Sequence, residues 1–241
     1  MWFYFSVLQF MERRELQMAT LLRENDSSNK HINASARHIR LCRQVGASTL
    51  VEAIEPKTQN LRAKQAATKT AIEAVEAAHD DILFTDGDQD NTVKNGFDEC
   101  KRYDRDNPGS TALSRAFPDG RFTTITMVKT VDEPDEVDNL AARFESFGAS
   151  HPLFAHAALL RQKAAAVRAK IDVYKAAIKA EKVAEADEQI AKFELRQQYE
   201  QNYLDARKLL GKPLAERLFP ALGSDRGSAG DKDEPPTPEQ K

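Results

Sequence analysis

Apolar positions recur at intervals of three and four along most of this chain, which is the spacing of a single helix face. Between Ala36 and Glu55 they are Ile39, Cys42, Val45, Leu50, Val51 and Ile54, with Ser35 as the expected N-cap and Gly46 a weak point. Pro56 is expected to break or re-aim the chain. Residues 57–107 hold no proline, and Ile72, Val75, His79, Ile82, Asp86, Gln89, Val93, Gly96, Cys100 and Tyr103 trace a seam through them. The run Thr85–Asn91 puts polar groups and Gly87 into the middle of that seam. Glycine costs about 1 kcal/mol against alanine inside a helix, so a kink or fraying is expected there. Asn107-Pro108-Gly109 closes the segment.

Residues 108–134 read as a connection. Phe122–Val128 is rich in β-formers but has no partner strand nearby, so it is expected to run extended along the bundle; pairing with another subunit's edge is the alternative. A short helix follows, with Asp132 as cap, Val137, Leu140, Ala141 and Phe144 as its face, and Gly148 as its end. Ser150-His151-Pro152 then opens the longest helix. Its apolar rhythm runs through Leu160, Ala164, Val167, Ile171, Tyr174 and Ile178, shifts phase, and resumes as Val183, Ala186, Ile190 and Phe193. With no Gly, Pro, Ser or Asn at the shift, a stutter in one continuous helix is expected. Leu195, Tyr199, Ala206 and Leu209 carry it to Gly211, which over 153–210 would be roughly 87 Å of helix. Pro213 to Phe219 adds a terminal turn.

These elements predict an all-α protein: an elongated antiparallel helical bundle of about four helices, two of them long. Residues 1–35 read as N-terminal extension and linker, 36–222 as the bundle, and 223–241 as a disordered tail. One motif occurs twice, Arg115-Ala116-Phe117-Pro118 and Arg217-Leu218-Phe219-Pro220. Each follows a long helical stretch with a tyrosine near its end, Tyr103 or Tyr203, and a proline at its start, Pro56 or Pro152. The offsets of these three pairs drift, and a four-residue match also arises by chance, so an internal duplication and a coincidence both fit. The expected role of the motif is an end plug. Phe117 and Phe219 would tuck into open ends of the bundle, Pro118 and Pro220 would stop the helix, and Arg115 and Arg217 would bond free carbonyls. Display of the same residues to a partner is the other reading.

Composition narrows the function classes. Hydrophobic residues are 41% of the chain but aromatic ones only 7%, so alanine supplies much of the apolar fraction and the core is narrow. A net charge of −3 offers no electrostatic ground for nucleic acid or an anionic membrane. Cys42 and Cys100 have neither metal-like spacing nor a disulfide framework, and two buried thiols in a reducing cytoplasm is the expected reading. The apolar start Met1–Phe10 is too short to span a bilayer and lacks the features of a signal peptide. Residues 1–17 are expected to come from an upstream start codon, with Met18 the ordinary one, or to form a poorly packed extension.

Chemistry is sparse. Glu76-Ala77-Ala78-His79 has the spacing of a bundle metal ligand pair, but no second Glu-x-x-His exists, and His79 is expected on the seam as a core histidine. Asp86-Gly87-Asp88-Gln89-Asp90 begins like a calcium loop, but Asn91 and Phe97 stand where glycine and glutamate are required. A solvated, frayed helix segment is expected there, with weak cation binding by Asp86, Asp88 and Asp90 the alternative. No phosphate loop, dinucleotide fingerprint or nucleophile–base set is present. The chain is therefore expected to be a non-enzymatic structural or interaction module without a cofactor, acting on a protein partner or on itself. A metal-dependent four-helix-bundle enzyme and a membrane-active helical protein are the rival readings.

Overall fold

The computed structural model describes residue 19 and residues 21–220. The readings made on residues 1–17 and on the tail from 223 lie outside the described residues. Those residues form seven α-helices and no strand: α1 Ser28–Gln44, α2 Ser48–Asp106, α3 Ala112–Ala116, α4 Thr123–Thr126, α5 Glu133–Glu145, α6 Ala155–Leu210 and α7 Lys212–Leu218. A 3-10 turn, Pro152–Phe154, leads into α6. Two helices are long, 59 residues in α2 and 56 in α6.

Several boundaries differ from the sequence reading. The end of the extension and linker expected over 1–35 is already helical from Ser28, because Ser27 and not Ser35 caps α1, its Oγ accepting from the Lys30 amide at 3.2 Å. Ser35 is buried inside α1 and donates to the Ile32 carbonyl. The chain breaks at Gly46, whose φ of +74° is a conformation glycine adopts without steric cost, and not at Pro56. Pro56 sits exposed inside α2. A proline in a helix interior costs about 3 kcal/mol, and the burial of Leu50, Val51, Ile54 and Leu61 on the other side of the same turns outweighs it. Gly87 does not fray α2, which runs unbroken past it. The stretch Phe122–Val128 is not extended: it holds the single turn α4, with Ile125 buried.

The described residues divide into two compact units. The first joins the residues up to Ala66 with those from Ala186 onward; the second is Ala67–Glu185. Both long helices contribute to each unit. In the first unit they pair antiparallel, Lys57 with Glu194 at 2.9 Å and Lys64 with Asp187 at 2.6 Å. In the second, Asp81 meets Lys170 at 2.7 Å and Asp88 meets Lys163 at 3.1 Å. Seven residues forward on α2 correspond to seven back on α6 in each unit, as two helices crossing at a shallow angle require.

Each unit has its own core. In the first, Ile39 and Cys42 of α1, Leu50, Ile54 and Leu61 of α2, and Leu195, Tyr199 and Ala206 of α6 close around Leu218 and Phe219. In the second, Val93, Phe97 and Cys100 of α2, Leu140, Ala141 and Phe144 of α5, and Leu160 and Ala164 of α6 close around Phe117. The seam read along α2 holds from Ile82 onward, but Ile72 and His79 are exposed. Ala78 is buried in their place. On α6, Val183, Ile190, Phe193 and Leu209 were expected inward and face solvent.

Candidate functional site

The two Arg-x-Phe-Pro segments lie at the closing end of each unit. Phe117 follows α3 and is buried, with its ring meeting Phe97 edge-on at 5.1 Å and Phe144 at 6.3 Å. Gly96 allows the Phe144 ring to reach this place: a Cβ there would stand 3.2 Å from Phe144 Cζ. Arg115 donates to the Ser146 carbonyl, the C-cap of α5, at 3.2 Å, and its guanidinium lies 4.6 Å over Phe147. Pro118 is exposed. Phe219 follows α7 and is fully buried, meeting Tyr199 edge-on at 4.9 Å, Tyr203 at 5.3 Å and His38 at 4.2 Å. Arg217 is exposed and Pro220 half-buried. Among the described residues Arg217 makes no bond to a helix end, whereas Arg115 does.

The first unit's plug rests on a polar network that the sequence reading missed. His38 Nδ1 lies 3.1 Å from the Leu218 carbonyl and so carries the proton. Its Nε2 then accepts from Asn202 Nδ2 at 3.1 Å. Asn202 Nδ2 also donates to the Leu50 carbonyl at 2.8 Å, and its Oδ1 accepts from Gln198 at 2.9 Å, so the amide cannot turn over. A second proton on His38 would point at an amide nitrogen. Burial pushes the imidazole down to about 4 despite the Leu218 bond, which keeps it neutral.

Cys42 Sγ lies 3.4 Å from His38 Nε2. A thiol, an imidazole and an amide are the components of a nucleophilic set. Here they are enclosed: all three side chains are buried, and burial pushes the Cys42 thiol up to about 11. A nucleophilic cysteine needs the opposite shift and access to substrate. The arrangement ties α1, α2 and α6 to the Leu218 carbonyl at the end of α7. Cys100 is likewise buried and pushed up to about 12, chiefly by burial and then by Asp104 and Glu99.

A second polar cluster sits in the second unit, where the sequence predicted a solvated, frayed segment. Asp86, Gln89 and Asp90 occupy one face of an intact α2 and meet Glu133, the first residue of α5. Glu133 is 1% exposed and Gln89 is fully buried. Gln89 Nε2 donates to Glu133 Oε1 at 2.9 Å, Glu133 hydrogen-bonds with Asp90, and Thr130 with Asp86. Asp86 Oδ1, Asp90 Oδ1 and Gln89 Oε1 are buried without a partner. Burial first, then the neighbouring carboxylates, pushes Glu133 up to about 8. A helix N-terminus favours the charged form by about 0.3–1 kcal/mol, too little to reverse this.

The remaining sequence candidates are not drawn together. Glu76 and His79 are exposed, and His79 only tilts against Tyr174 at 5.8 Å. Asp88 pairs with Lys163 instead of joining Asp86 and Asp90. Among the described residues no three His, Cys, Asp or Glu side chains are arranged around a metal position. Also among them, no helix is long and apolar enough to cross a membrane. Comparison of the chain with protein-family models, with curated proteins and with solved structures finds no match in any of the three.

Proposed function

We propose that this chain is a non-enzymatic helical-bundle module that works by binding protein, either a partner or a second copy of itself, and that it arose by duplication of one helical unit. The observation that carries the binding role is the outer face of α6 in the first unit. Ile190 is 58%, Phe193 49% and Leu204 49% exposed. Ile190 and Phe193 are three apart, and Leu204 lies two heptads beyond Ile190, so the three share one stripe. The core of the same helix uses Leu195, Tyr199, Asn202 and Ala206. Helix α6 therefore leaves Ile190, Phe193 and, past Gln197 and Gln201, Leu204 open to water on the side away from its core, which forgoes roughly 25 cal/mol per Å² of apolar area left uncovered. Meanwhile the thiols and the imidazole of His38 are buried and held neutral. A cytoplasmic location belongs to the same reading, because both thiols are free and buried.

The duplication accounts for a constant offset of 102 residues. Gly46-Ala47-Ser48 recurs as Gly148-Ala149-Ser150, and the two Arg-x-Phe-Pro motifs keep the same spacing. Gly46 and Gly148 have φ of +74° and +92°, and Gly109 and Gly211 have +93° and +78°. Phe97 on Phe117 and Tyr199 on Phe219 are the same edge-on contact at 5.1 and 4.9 Å. Thr130 bonds Asp86 as Ser28 bonds Glu188. On this alignment one copy is α1–α2–α3 and the other α5–α6–α7. Pro56 and Pro152 are then not counterparts, nor are Tyr103 and Tyr203; Phe97 and Tyr199 are.

Sedimentation velocity of the full chain and of Ile190→Lys/Phe193→Lys, beside a pull-down with each, tests the binding role. The expected result is association or partner capture by the wild type and its loss in an equally stable variant. Identical behaviour of the two in both experiments would show the stripe to be idle.

A further inference from the structure

The internal correspondence changes its chemistry where the start of α5 meets α2. In the first unit the positions equivalent to Asp86, Asp90 and Glu133 hold Glu188, Lys192 and His31. Glu188 accepts from Ser28 Oγ at 2.6 Å, and the His31 imidazole is pushed down first by burial and then by the positive charge of nearby Lys192. In the second unit all three positions are carboxyl groups and no lysine replaces Lys192. The charged groups near Glu133 include Asp86 and Asp90 on α2, Lys129 and Asp132 before α5, Asp135, Glu136 and Asp138 on α5, and Lys163 and Arg168 on α6. Lys163 is bonded to Asp88, and Arg168 to Asp135 and Asp138, while Lys129 is exposed. Gln89 adds an independent sign. Fully buried, it presents its amide to the pocket, with Nε2 on Glu133 and Oε1 without a partner.

We propose that Glu133 and Asp90 share one proton at neutral pH, so that a carboxyl-to-carboxylate hydrogen bond clamps the start of α5 to α2 and lets go when the proton is lost to solvent. Two carboxylates in contact cannot both ionise in a buried site without mutual repulsion, and the proton replaces the charge that Lys192 gives the first unit. Glu133 at about 8 against 4.5 in the unfolded chain fixes the direction. The native state holds more protons between those values. The clamp holds its proton up to about 8, and its contribution to stability is full below about 4.5 and is lost as pH rises through about 8.

Two measurements on the full chain decide this: an infrared spectrum at pH 7 for the carbonyl stretch of a protonated carboxylic acid, and melting temperature from pH 5 to 9.5. The wild type should show the carboxylic-acid band, and its melting temperature should fall toward alkaline pH. Glu133→Gln, which keeps a hydrogen-bond donor without a titrating proton, should lose the band and most of the alkaline fall; Asp90→Asn should lessen the fall. A wild-type spectrum without the band, or an alkaline fall of the same size in Glu133→Gln, overturns the proposal. So does a wild-type melting temperature at pH 7 that rises with added magnesium or calcium while that of Glu133→Gln does not, since a cation would then be the missing charge. Should Glu133→Gln not fold, the wild-type band and the Asp90→Asn profile decide alone.

Discussion

Tyr199 and Phe219 meet edge to face at 4.9 Å, and this contact closes the first unit as Phe97 and Phe117 close the second. Truncating a buried phenylalanine typically costs about 3–5 kcal/mol. Phe117→Ala and Phe219→Ala should therefore each lower the thermal midpoint clearly and to a similar degree in a calorimetric scan. A substitution that leaves stability intact but removes an interaction would mark that segment as a recognition motif.

The arginines should part company. Arg115 caps α5 and covers Phe147, so Arg115→Ala should cost about 1 kcal/mol, whereas Arg217→Ala at an exposed position should change stability by less than about 0.5 kcal/mol. Chemical denaturation of the two variants compares them directly.

His38→Leu should destabilise by about 1–3 kcal/mol, because it strands the Leu218 carbonyl and an Asn202 donor in a buried site. His79→Leu, at an exposed position, should change stability little, and not through the seam as its spacing suggested. The lowered His38 value also sets a pH dependence. Its contribution is complete above about 6.5 and is lost as pH falls toward about 4, since only the unfolded chain takes up the proton in that window. Denaturation at pH 7 and pH 4.5 should show that component in the wild type and not in His38→Leu.

Cys42 and Cys100 should resist a thiol reagent in the native protein and react stoichiometrically once it is unfolded, because both are enclosed and their thiols are pushed to about 11 and about 12. Rapid labelling of the folded chain would contradict that enclosure.

Much of the helical pattern was legible because periodicity survives in sequence; the faces were less so. On α6, Val183, Ala186, Ile190 and Phe193 make as good a stripe as Ala191, Leu195, Tyr199 and Asn202, and the stripe with the larger apolar residues is the one that faces water. Pro56 misled because a local penalty was weighed without the burial of Leu50, Ile54 and Leu61. The His38–Asn202 pair spans 164 residues, so no local pattern announces it. Histidine and cysteine at i and i+4 were the trace available in α1. The carboxyl pocket was half visible: Asp86 and Gln89 lay on the predicted seam, but the partner that turns them into a pocket, Glu133, reads as an ordinary first-turn acid of α5.

The make-up of the two units has a consequence for synthesis. The second is one uninterrupted stretch, Ala67–Glu185, while the first needs residues from both ends of the described chain. A ribosome works from the N-terminus, so α1 and the opening turns of α2 emerge early with Ile54 and Leu61 uncovered. Their cover, Leu195, Tyr199 and Phe219, is made last. The middle of the chain can fold while its beginning waits, and during that interval the beginning is the part most exposed to wrong company.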